Sequence, residues 1–124
     1  METILVVDDD DLVLQIAVKI LTAAKFRVLS ASSGRSALQV ASTIDGKIDL
    51  LLTDVEMPGM TGLELAETLS ESRPNIRVIL MSGVADSNLL SSGWAFINKP
   101  FFPKELVEMV KSVLRTPKSQ GGQS

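Results

Sequence analysis

Carboxylates stand at the ends of two of the most apolar stretches of this chain. Leu50-Leu51-Leu52-Thr53 runs into Asp54, and Ile4-Leu5-Val6-Val7 runs into Asp8-Asp9-Asp10-Asp11. Two further runs end on different groups, Ile76 to Met81 on Ser82-Gly83 and Trp94 to Ile97 on Asn98-Lys99-Pro100. Short continuous apolar runs read as strands buried on both faces, the habit of a parallel sheet. Strands that finish on one edge would bring Asp8, Asp9, Asp54, Ser82 and Lys99 into a single pocket. Neighbouring carboxylates repel one another at neutral pH unless a cation neutralises them. The chain has no His and no Cys, so the donors are hard oxygens. Such a set selects Mg²⁺, which accepts one or two carboxylates and fills its shell with water and phosphate oxygens. The pocket suits a divalent ion and one phosphoryl group, with Lys99 and the Ser82 hydroxyl facing the remaining phosphoryl oxygens.

Taken singly, each group has an ordinary reading. An acidic run suits the positive end of a helix dipole, Ser82-Gly83 is a common turn, and Lys99-Pro100 fits a surface loop. Their joint placement after successive strands is what unrelated turns would rarely produce. Trp94, Phe96 and Phe101 read as packing residues, and the methionines as core or loop filler.

The elements that must position these groups follow from the periodicity. After the first strand, Leu12, Ile16 and Ile20 recur at four-residue steps, with Val13, Ala17 and Ala24 beside them, which predicts a helix to about Lys25. Phe26 to Ala31 reads as a second strand. Ser33 is placed to cap a helix whose apolar face is Ala37, Leu38, Ala41 and Ile44, closed by Asp45-Gly46. Thr61-Gly62-Leu63-Glu64 has capping-box spacing and starts a helix at Gly62 that runs to about Glu71. Residues 85 to 92 are the weakest segment, with room for two helical turns around Leu89 and Leu90. Pro103 suits the first position of a last helix, whose buried face is Leu106, Val107, Val110, Val113 and Leu114. Residues 117 to 124 are polar and glycine-rich, a flexible tail or a cut linker after a domain of residues 1 to 116. Alternating strands and helices call for an α/β fold, a parallel sheet with helices on both faces and right-handed crossovers.

Composition narrows the function classes. With 124 residues, 45% of them apolar, the chain can bury a core as one domain. Its net charge of −3 and lack of a basic cluster argue against direct binding to nucleic acid or to an anionic membrane. No apolar run approaches the roughly 20 residues that span a bilayer, and Met1-Glu2-Thr3 lacks the basic start of a signal peptide. Absence of Cys suits a reducing cytoplasm, the expected location.

Val6-Val7-Asp8-Asp9, Thr53-Asp54-Val55-Glu56-Met57-Pro58-Gly59, Met81-Ser82-Gly83 and Lys99-Pro100-Phe101 together resemble the motifs of the receiver domain of two-component response regulators, across residues 3 to about 115. The resemblance implies a flavodoxin-like, doubly wound five-stranded sheet of order 2-1-3-4-5 with five helices. It implies that Asp54 is the phosphoacceptor, taking a phosphoryl group from phosphohistidine on a sensor histidine kinase or a histidine phosphotransfer protein. Asp9, Asp54 and the backbone carbonyl of Glu56 would bind Mg²⁺, and Asp8 would act through metal-bound water. Ser82 would hydrogen-bond the phosphoryl group, Lys99 would pair with it, and Gly83 would leave the approach to Asp54 open. Phe96 stands at the position of the family's switch aromatic, which couples the pocket to a surface made by residues 85 to 92, the fifth strand and the last helix. Glu56 and Val84 flank the pocket and are candidates for setting the lifetime of the acyl phosphate.

Three features depart from the family's pattern. The interval from Ser82 to Lys99 is short, so the helix over residues 85 to 92 is expected to be short or irregular, as in receivers attached to hybrid sensor kinases. Phe102 stands where a Ser or Thr cap would be natural, and an absent cap costs about 1 kcal/mol; it would pack instead on its own helix or on a partner. No effector domain follows, so output is expected through protein contact or through a domain outside this chain. The resemblance implies a signalling module and not a turnover enzyme. One rival is a haloacid dehalogenase-type phosphatase with Asp8 as nucleophile, suggested by Asp8-x-Asp10, although the chain lacks room for that family's larger core and cap. Another is a receiver-like scaffold that never accepts phosphate. A calcium loop fails because Val13 and Lys19 stand where it needs Gly and Glu. The residues leave open the kinase, the pathway, and whether phosphorylation drives a homodimer.

Overall fold

In the computed structural model, residues 1–84 and 90–116 are described. Five parallel strands form one sheet of order β2-β1-β3-β4-β5: β1 Thr3–Val7, β2 Arg27–Ala31, β3 Leu50–Asp54, β4 Arg77–Ser82 and β5 Ala95–Asn98. The described helices are α1 Asp11–Ala23, α2 Gly34–Thr43, α3 Gly62–Ser72 and α4 Pro103–Arg115. The expected short helix over residues 85 to 92 falls mostly outside the described residues, as does the tail from residue 117; Leu90 and Ser91 are helical.

Strand alternation builds two cores. Leu5, Val7, Leu51, Val78 and Leu80 face α2 and α3, where they meet Ala37, Ala41, Leu65 and Leu69. Ile4, Val6, Leu50, Leu52, Ile79 and Met81 face α1 and α4, against Ala17, Leu21, Leu106 and Val110. With both faces covered, a strand has no polar side to spare, hence the continuous apolar runs.

Several predicted ends hold. At the start of α1, where the acidic run was expected only to suit the helix dipole, Asp10 acts as the cap, accepting from Leu12 and Val13 N–H at 2.9 and 3.3 Å. Thr61 and Glu64 form their reciprocal box at 3.1 and 2.9 Å. Ser33 caps α2, but its reciprocal partner is Ser36, which the sequence reading did not single out. Pro103 opens α4. Phe102 offers no side-chain cap, yet its N–H donates to Glu105 Oε1 at 3.2 Å, so half of a capping box remains. At 77% exposure Phe102 does not pack on its own helix.

Two expectations need correction. The buried stripe of α1 is Ala17 and Leu21 with Leu14, Val18 and Ile20, while Leu12 and Ile16 face solvent. A four-residue step drifts around a helix of 3.6 residues per turn, so more than one apolar stripe fits the same letters, and contact with the sheet and α4 selects between them. Helix α2 ends at Thr43, with Ile44 already extended. Its end is tied down by Arg73, whose guanidinium donates to Ala41 and Gly46 carbonyls at 2.8 and 2.9 Å.

Candidate functional site

Parallel register draws the polar strand ends together. Val7 lies beside Ala31 and Thr53, Asp54 beside Met81, and Ser82 beside Asn98, so Asp8, Asp54, Ser82 and Lys99 emerge along one edge of the sheet. The centre of that edge, between β1 and β3, is where the order of strands reverses, the usual crevice for ligands in open α/β sheets.

One oxygen each from Asp8, Asp9 and Asp54 lies within 4.8 Å of the others. Asp8 is fully buried and Asp54 is 8% exposed, while Asp9 faces solvent. Lys99 supplies the counter-charge, its Nζ standing 2.8 Å from Asp8 Oδ2 and 2.9 Å from Asp54 Oδ1. The other oxygen of Asp8 accepts from Asp10 N–H at 2.9 Å. Burial pushes the Asp54 carboxyl above its ordinary pKa, with help from the charges of Asp8 and Asp9, against the opposing pull of Lys99. Burial draws the Lys99 ammonium down, but its hydrogen bonds and charge attraction to Asp8 and Asp54 outweigh this and hold its pKa above the usual lysine value. An oxygen-only, acid-rich cluster with an exposed member at its mouth fits a hard divalent cation.

The other predicted residues lie around this centre in different ways. Ser82 is buried, and its hydroxyl is engaged with its own turn, donating to Val84 O at 2.6 Å and accepting from Val84 N–H at 3.1 Å. A methyl group built on Gly83 would meet no atom within 4 Å. The side chains of Glu56 and Val84 face solvent, and Phe96 is half-buried beside Trp94 on the α2 and α3 side of the sheet. Sequence reasoning missed Thr53, whose buried hydroxyl donates to the Asp54 carbonyl at 3.0 Å. The signal was a single hydroxyl in an otherwise apolar strand.

The chain belongs to the response regulator receiver domain family, whose model matches residues 4–111. Among similar curated proteins, the sensor kinase CckA of Brucella abortus is 35% identical over 117 residues, covering 90% of this chain and 12% of the relative. A solved receiver domain from a hybrid histidine kinase CckA is 36% identical, with a TM-score of 0.73 over 91% of this chain and 99% of that one. The response regulator TrrA of Thermotoga maritima, solved in complex with Mg²⁺ and BeF, is 32% identical, with a TM-score of 0.80 over 91% of this chain and 99% of that one. The chain spans about half or less of the length of the curated relatives it matches.

Proposed function

We propose that this chain is a phosphoacceptor of a two-component phosphorelay, receiving a phosphoryl group on Asp54 from phosphohistidine of a sensor histidine kinase or histidine phosphotransfer protein. The observation that carries the reading is the Asp54 carboxylate itself, at the sheet edge with an ammonium 2.9 Å away and two further carboxylates beside it. An Asp54 oxygen forms the new bond to phosphorus as the donor's N–P bond breaks, and the bond's electron pair leaves with the imidazole nitrogen. Lys99 then pairs with the phosphoryl oxygens in place of the Asp54 oxygen it now holds. The Ser82 hydroxyl turns from Val84 to donate to the phosphoryl group, which frees the Val84 backbone and couples the chemistry to the segment that follows. Phe96 is the aromatic that moves with it, shifting a protein-interaction surface.

Asp9, Asp54 and the carbonyl of Glu56 would hold Mg²⁺ directly, with Asp8 acting through water. Bound there, the ion neutralises charge on the transferring group. The Thermotoga maritima relative, solved with Mg²⁺ and BeF, supports this choice of metal. Gly83 keeps the approach to Asp54 open, and Glu56 and Val84, with side chains free in solvent, are placed to tune the lifetime of the adduct. Such a module is a signalling acceptor and not a turnover enzyme, and its expected setting is the cytoplasm. Asp8 is the weaker nucleophile candidate, since it is fully buried and both its oxygens are engaged.

Intact-mass analysis after incubation with acetyl phosphate, with and without Mg²⁺, tests the reading. One labile phosphoryl adduct is expected, dependent on Mg²⁺ and lost in Asp54→Asn. An adduct that survives Asp54→Asn, or no adduct at all in Mg²⁺-loaded protein, would overturn it.

A further inference from the structure

The peptide that leaves Asp54 is held on the face of the sheet opposite its carboxylate. Alternation along β3 turns Leu50, Leu52 and the Asp54 side chain toward α1 and α4, and turns Leu51 and Thr53 toward α2 and α3. On that second face the Thr53 hydroxyl, fully buried, donates to the Asp54 carbonyl at 3.0 Å. Gly62, the first residue of α3, presses on the same carbonyl. A Cβ built on Gly62 overlaps the Asp54 oxygen and lies 3.0 Å from both the Asp54 carbonyl carbon and Val55 Cα. Gly62 lies within a helix and is not among the residues of positive φ, so what demands glycine here is space and not backbone conformation. Its N–H donates to Val55 O at 2.9 Å, and the Thr61–Glu64 box fixes the helix turn it belongs to.

We propose that Thr53 and Gly62 are positioning residues for the phosphoacceptor. Neither reaches the reacting atoms. Together they restrain the carbonyl end of a peptide whose N–H end, on Val55, donates to Met81 O at 3.0 Å. The plane of that peptide sets the direction of the Asp54 side chain toward Lys99 and of the chain that carries the Glu56 carbonyl. The inference rests on the reading of Asp54 as acceptor.

Thr53→Val removes the donor and keeps the branched shape, Thr53→Ser keeps the donor and loses a methyl, and Gly62→Ala introduces the overlap. The measurement is the phosphorylation rate with acetyl phosphate at saturating Mg²⁺, alongside the melting temperature of each variant. Loss of one hydrogen bond's worth of alignment slows Thr53→Val about tenfold, with Thr53→Ser within about twofold of the native protein. A displacement on the order of 1 Å slows Gly62→Ala about 100-fold. Because the overlap at Gly62 bears on folding as well, the Thr53 pair decides. Thr53→Val reacting at the native rate would overturn the proposal, as would Thr53→Ser reacting as slowly as Thr53→Val, since the hydroxyl would then not be the cause. A native protein that forms no adduct at Asp54 would instead sink the acceptor reading on which the proposal stands.

Discussion

Replacing Lys99 by Met removes one charge from the centre of the site while keeping an unbranched stem of similar length. In the native protein that ammonium lies 2.8 Å from Asp8 and 2.9 Å from Asp54, and the lysine side chain is only 21% exposed. Without it, two buried carboxylates face each other with oxygens no more than 4.8 Å apart. At an effective dielectric of about 20, their repulsion at that distance is roughly 3.5 kcal/mol if both stay ionised. Breaking a buried pair by removing one partner costs about 3–5 kcal/mol, and partial exposure places this case near the lower end, about 3 kcal/mol. For a chain of this size that corresponds to a melting temperature lower by about 10 °C. The assay is thermal unfolding at pH 7 in chelator. Without Lys99 the Asp54 carboxyl loses the hydrogen bond and charge that oppose its burial, and its pKa rises still further above the ordinary carboxylate value. The penalty is therefore present at neutral pH and fades as pH falls through the raised folded-state value of Asp54 toward the unfolded value near 3.8. Adding Asp8→Asn should recover much of the loss, because one uncompensated charge is gone. A Lys99→Met protein that melts with the native one at pH 7 in chelator would refute the account of Lys99 as the counter-charge of this cluster.

Asp54→Asn in chelator should raise the melting temperature at pH 7, since a pKa raised by burial means that the ionised side chain destabilises the fold. The gain should vanish as pH approaches 4 and the native carboxyl is protonated; a lower melting temperature at neutral pH would contradict this sign. Arg73→Ala removes two hydrogen bonds to the end of α2 and should cost about 1–2 kcal/mol in denaturant unfolding, with an unchanged midpoint counting against the tie. Substituting Glu56 or Val84 should change the half-life of the phosphoryl adduct by about threefold, a barrier change of under about 1 kcal/mol; unchanged decay in both variants would remove them from that role.

Much of this domain is local in origin and was legible as such. The apolar runs ending on Asp8, Asp54 and Ser82 mark strands buried on both faces, because a sheet covered on both sides lets consecutive residues be apolar, whereas the run before Lys99 became an edge strand only partly buried. The caps at Ser33 and Thr61 depend on partners within three residues, so spacing alone specifies them. The motif set also identified the family. Other features depend on which elements meet, and no local pattern holds that information. Leu21 and not Leu12 is buried because α1 packs on the sheet and α4 at one particular rotation. Lys99 reaches Asp8 across 91 residues of chain and Asp54 across 45, a meeting that exists only because the strand order puts β1, β3, β4 and β5 edge to edge. The hydroxyl of Ser82 faces Val84, and the Asp54 carbonyl is caught between Thr53 and Gly62, because hydrogen bonding and close packing are settled by atoms within a few ångströms in space. Residue types and their spacing therefore determined which groups the chain carries to its edge, and tertiary packing decided which of them touch.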